Sequence, residues 1–144
     1  MSEDIERALA AALGEIPGVN DIAGGEVPLP DPDKGMTDHL FVNVTLDGLD
    51  EDGDIGQIVK CLRDVAFESF RRIRDGVDVK AYATICLSLY TPISASASEG
   101  IRIYRTRLRS NELPNLTREN LRQIALGEES RKRAVHELLN LQTE

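Results

Sequence analysis

Four arginines crowd one short segment: Arg102, Arg105, Arg107 and Arg109 within IRIYRTRLR. Guanidinium groups at that density can hold phosphate, nucleic acid or an acidic peptide through charge-assisted, bidentate hydrogen bonds. A second set of side chains suits recognition too. Lys80, Tyr82 and Tyr90 alternate along one strand-like segment, with Phe41 and Tyr104 on two others. On one sheet face, such rings can stack unpaired bases while cations neutralise phosphates. The same rings also suit a protein interface, because tyrosine offers an apolar body and a polar tip. Phe41, Lys80, Tyr82, Tyr90, Arg102, Tyr104, Arg105, Arg107 and Arg109 are therefore the candidate binding set.

Covalent and metal chemistry find less support. The chain has no CxxC, HExxH, GxSxG, SxxK, P-loop or GxGxxG pattern. His39, His136, Cys61 and Cys86 are scattered, so any thiol–imidazole pair has to be made by the fold. The acidic turn Asp47, Asp50, Glu51, Asp52, Asp54 fails as a calcium loop. Counted from Asp50, the sixth residue is Ile55 and the twelfth is Cys61, where Gly and Glu are needed. Helix capping explains these acids better. No catalytic residue, metal or cofactor is assigned.

The elements that position the candidates follow from periodicity. Residues 77–90, VDVKAYATICLSLY, alternate strictly, with Val77, Val79, Ala81, Ala83, Ile85, Leu87 and Leu89 on one side. That pattern predicts a half-buried strand with Lys80, Tyr82 and Tyr90 facing away from the core. Residues 39–46 predict another strand, with Leu40, Val42, Val44 and Leu46 inward and Phe41 outward. Between them, Ile55, Ile58, Val59, Leu62, Val65, Ala66, Phe70 and Ile73 trace a helix that ends at Gly76. Strand, helix and strand make a βαβ unit.

Residues 101–109 predict a third strand, antiparallel to the second. If Ile101 and Ile103 point inward, Arg102, Tyr104, Thr106 and Leu108 point outward. Arg105, Arg107 and Arg109 then fall on the nominal core face, where unpaired charge is very costly. Three resolutions are available: the strand projects past the core, a bulge flips its register, or acids neutralise it. The arginines also suit edge-strand protection against aggregation.

An N-terminal helix carries Ile5, Leu9, Leu13 and Ile16 on one stripe and ends at Gly14 and Pro17-Gly18. Residues 18–38, rich in Pro and Gly, predict a flexible loop, with a short edge strand at Val19 and Ile22 as the alternative. A short helix capped by Asn115 or Thr117 and a final helix over about 128–141 close the chain. The expected fold is α+β: a small mixed sheet with a βαββ core, an N-terminal helix and two C-terminal helices in a two-layer sandwich. A chain of 144 residues predicts one domain.

Charge is distributed unevenly. Residues 1–54 hold fourteen acids against Arg7 and Lys34, a net of −12, and the remainder carries +4, giving −8 in all. No apolar run approaches a membrane span, and Glu3, Asp4 and Glu6 stand where a secretory signal carries basic residues. The expectation is a small acidic cytoplasmic protein. It acts as a non-enzymatic interaction or assembly component with a protein partner or itself, as a homodimer, and without contact to membranes. Two further readings stand beside it: an anion or nucleic-acid binder using the arginine strand and outward tyrosines, and an enzyme with a site near the Asp31–His39 segment.

Overall fold

The computed structural model describes residues 2–31, 33, 35–46, 55–92, 100–124 and 129–130. The acidic turn at 47–54, the serine-rich connection at 93–99 and residues 131–144, with Ala134, Val135, His136, Leu138 and Leu139, lie outside them.

Helix α1 (Ser2–Leu13) leads into a hairpin of β1 (Val19–Asp31) and β2 (Gly35–Leu46). Helix α2 (Ile55–Gly76) crosses to β3 (Thr84–Pro92), which is followed by β4 (Gly100–Arg109). A 3-10 turn (Ser110–Asn115), the short α3 (Leu121–Ile124) and a two-residue β5 (Glu129–Ser130) complete the described chain. The strand order is β1-β2-β3-β4-β5. The β2–β3 pair is parallel and the others are antiparallel, so β2–α2–β3 is a βαβ unit in a mixed α+β sheet.

The residues expected to form a Pro/Gly-rich loop instead form the edge strand β1. Its ladder to β2 continues past both prolines, Pro28 opposite Asp38 and Pro30 opposite Met36. An edge strand tolerates proline where the missing N–H faces away from its neighbour. Gly35, at φ +79°, starts β2 in a backbone region that suits glycine. At the other end of the chain, Glu129 and Ser130 pair with Arg105 and Tyr104 as strand, although they fall within the expected final helix.

One face of the sheet carries the core. Leu40, Val42 and Val44 of β2 pair with Ile85, Leu87 and Leu89 of β3, and all six are fully buried. Leu9 and Leu13 of α1 and Leu62, Ala66, Phe70 and Ile73 of α2 join them in one cluster. Each large side chain contributes about 1.5–3 kcal/mol by burial. Gly24 of β1 makes room for α1: a Cβ there would stand 2.4 Å from Leu9 Cδ1 and 3.2 Å from the Phe41 carbonyl oxygen. Leu113, Leu116 and Leu121 extend the same cluster. Arg118 ties this C-terminal segment to α2, pairing with Asp64 at 2.6 Å and lying over the Phe67 ring.

Candidate binding surface

The second face begins with a step in register. Leu89 pairs with Tyr104, yet the next residue, Tyr90, pairs with Arg102. Strand β4 therefore holds one extra residue, Ile103, at this point. Such a bulge reverses which side chains point inward. Of the three resolutions for the arginine strand, the structure uses this one.

Two expectations are corrected by it. Tyr104, expected outward, is fully buried opposite Leu89, and Leu108 is buried opposite Ile85. Arg105, Arg107 and Arg109, expected on the core face, take the opposite one, in register with Ser88, Cys86 and Thr84. Arg102 takes the register position beside Tyr90.

The outer face can now be read across the strands. Phe41, Cys86 and Arg107 form one row, and Asn43, Ser88 and Arg105 form the next. Thr45 and Tyr90 pair in the row after that. Phe41, Tyr90 and Arg105 are half-buried, whereas Arg107 and Arg109 are exposed. The Arg105 Nε–H donates to Cys86 Sγ at 3.2 Å, so the guanidinium lies across the thiol and helps to bury it. All the described helical elements contribute their buried apolar residues to the other side of the sheet.

Tyr82 does not join this face. The alternation over residues 77–90 predicts one strand, but the ladder starts only at Thr84. Residues before it turn: Asp78 Oδ1 accepts from the Lys80 N–H at 3.2 Å, and the Val79 carbonyl accepts from the Tyr82 N–H at 3.1 Å. An Asp that folds back on the backbone two residues on is a turn former, and that signal was present in the sequence. Tyr82 is buried, and its hydroxyl donates to Glu26 Oε1 of β1 at 2.6 Å. Burial, then the hydrogen bond and charge of Glu26, push its phenol well above the usual tyrosine range. Lys80 is exposed on this connector.

His39 opens the expected strand and is one of the two imidazoles that a thiol pair would draw on. Its Nδ1 lies 2.6 Å from Thr84 Oγ1 and its Nε2 lies 3.0 Å from Thr37 Oγ1. The ring thus bridges the middle of β2 to Thr84, the first residue of β3, on the outer side. Thr37 and His39 at alternate positions are the signal in the sequence; Thr84 joins them only through the parallel pairing.

Among the described residues no group of side chains is arranged to hold a metal ion, and no helix is long and apolar enough to cross a membrane. No family model matches the chain, and no curated protein matches it. Among solved structures, the crystal structure of "Sex pheromone staph-cAM373 precursor" is similar over 87% of this chain, with a TM-score of 0.50 and 10% identity. The chain spans 40% of the length of that structure. At this identity the likeness is one of fold.

Proposed function

We propose that the chain is a small, acidic, cytoplasmic interaction module that self-associates through the outer face of its sheet. The observation that carries this reading is the row of Arg105, Arg107 and Arg109 turned by the bulge onto the face opposite the helices. Phe41 and Tyr90 supply flanking aromatic surface. The chain itself provides a complementary partner, since residues 1–54 carry a net of −12. Opposed fields of this kind steer association and fix orientation. Cys61 and Cys86 are free thiols, which suits a reducing compartment. Nucleic acid fits less well: the chain is acidic overall, and two of its three tyrosines are in the core.

The test is solution mass by light scattering at low and high salt, with the ultraviolet absorbance ratio of the same peak. A dimer at low salt that an Arg105→Glu, Arg107→Glu double variant reduces to monomer supports the proposal. A monomer at low salt overturns it. Nucleic acid carried in the peak and lost in the variant transfers the face to the nucleic-acid reading.

A further inference from the structure

Thr84 stands between two unlike neighbours on the outer side of the sheet. Its Oγ1 lies 2.6 Å from His39 Nδ1 of β2, and Arg109 of β4 is its register partner. Arg107 precedes Arg109 by two residues, so it takes the same side, roughly 7 Å along the strand. Both arginines are exposed, and among the described residues neither makes a side-chain ion pair. Thr37, His39, Thr84 and Arg109 border a cleft of about 650 Å³ at this end of the sheet. That is within the usual size of small-molecule sites.

The imidazole leaves a donor to spare. A neutral ring has one N–H and one bare nitrogen. Both nitrogens of His39 lie against threonine hydroxyls, so one threonine donates to the ring and the other accepts from it. The accepting hydroxyl keeps its own proton for an outside acceptor. With the ring proton on Nδ1, that hydroxyl is the one of Thr84, beside Arg109. The guanidinium forks of Arg107 and Arg109 and this hydroxyl then offer donors on one side of the sheet. A phosphate group has three terminal oxygens and can satisfy all three side chains, whereas a carboxylate has only two oxygens. The neighbouring acids do not oppose it. Asp38 alternates to the other side of β2, with Leu40. Asp31 is on the far edge strand, four residues past the row of Arg109 and roughly 20 Å from it by strand spacing. Its Oδ1 already accepts from the Asp33 N–H at 2.8 Å.

We infer that the outer side of this sheet end binds a phosphate group, free or carried as a phosphomonoester by a small molecule. Arg107 and Arg109 supply the charge, and His39 orients the Thr84 hydroxyl toward the same phosphate. The site shares Arg107 and Arg109 with the self-associating face but also needs Thr84 and His39, which lie outside the arginine row. A dimer that takes no phosphate therefore fails this inference alone, and a monomer that binds phosphate fails the self-association reading alone.

The probes are inorganic phosphate and phenyl phosphate, with acetate as the carboxylate control, all at one ionic strength set by chloride. Each is titrated into the isotopically labelled full chain and followed by backbone amide NMR. Saturable shifts at Thr37, His39, Thr84 and Arg109 are expected with a phosphate probe. Tighter binding of phenyl phosphate assigns the site to phosphomonoesters, and tighter binding of inorganic phosphate assigns it to the free ion; either supports the inference. Thr84→Val, which keeps the side-chain shape and removes the hydroxyl, should weaken binding roughly tenfold, as should Arg109→Gln. The spectra themselves report whether the variants are folded, and Thr84→Val leaves every arginine of the row in place. No saturable shift with either phosphate probe, acetate binding as tightly as phosphate, or undiminished binding in Thr84→Val overturns the inference.

Discussion

The Tyr82 hydroxyl donates to the Glu26 carboxylate across 2.6 Å, fastening the connector before β3 to the edge strand β1. The two residues are 56 positions apart, and no other bond described between side chains of this connector and β1 does the same work. The contact is shielded, because Tyr82 is only 5% exposed. Burial and the neighbouring carboxylate both favour the protonated phenol.

Tyr82→Phe should therefore lower stability by about 1–3 kcal/mol, since Glu26 loses its partner while staying half-buried. The pH dependence has a definite sign. The folded chain holds the phenolic proton more tightly than the unfolded chain, whose tyrosine titrates near 10.0. The stabilisation is fully present below that value and is lost progressively as pH rises above it. Urea denaturation across the alkaline range should show a decline in the native chain that is reduced in the Tyr82→Phe variant.

Gly24→Ala should destabilise by about 1–3 kcal/mol through crowding against α1. The added Cβ meets Leu9 and the Phe41 carbonyl. In a Leu9→Ala background part of that cost should disappear, because the closest atom has been removed. A double-mutant cycle by chemical denaturation measures the coupling.

Deleting Ile103 removes the residue that makes the bulge. One part of β4 must then change face, either the arginines at 105, 107 and 109 or the residues before the deletion. Burying unpaired guanidinium groups is prohibitive, and repairing the register costs pairing. The deletion should cost about 3 kcal/mol or more, whereas Ile103→Gly, which keeps the residue count, should cost less. Thermal denaturation followed by circular dichroism distinguishes them.

Glu68 on α2 gives an acid-side prediction. Hydrogen bonds from Arg71 and then Arg72 hold its carboxyl down at about 2, from an ordinary value of 4.5. A lowered value in the folded state stabilises above pH 4.5 and is lost as pH falls toward about 2. The side chains are 25–41% exposed, so solvent screening holds the effect to about 1 kcal/mol or less. Glu68→Gln should flatten the acid limb of the stability profile by that amount, as read by denaturant midpoints.

The strength of each local signal explains what the sequence disclosed. The apolar stripe Leu62, Ala66, Phe70 and Ile73 and the alternation Leu40, Val42, Val44 are dictated by a single period, and both were legible. Strand β1 was obscured because Gly24, Gly25, Pro28 and Pro30 resemble a loop until β2 supplies a partner. The face of β4 was hidden for a different reason. Alternation continues through IRIYRTRLR, and only the pairing with β3 reveals that one residue is skipped. The arginines were legible as a binding candidate, and the conflict of placing them inward was legible as well. Tyr82 was misplaced because a buried turn can share the parity of the strand that follows it.

The prolines of β1 have a consequence for how copies of this chain can meet. Among the described strands, β1 has a neighbour on one side only. Pro28 and Pro30 sit on the free margin of its second half, and neither has a hydrogen to offer an incoming backbone. A foreign strand seeking to lengthen the sheet there finds a discontinuous row of donors. The margin thus resists templated growth of the sheet through this edge.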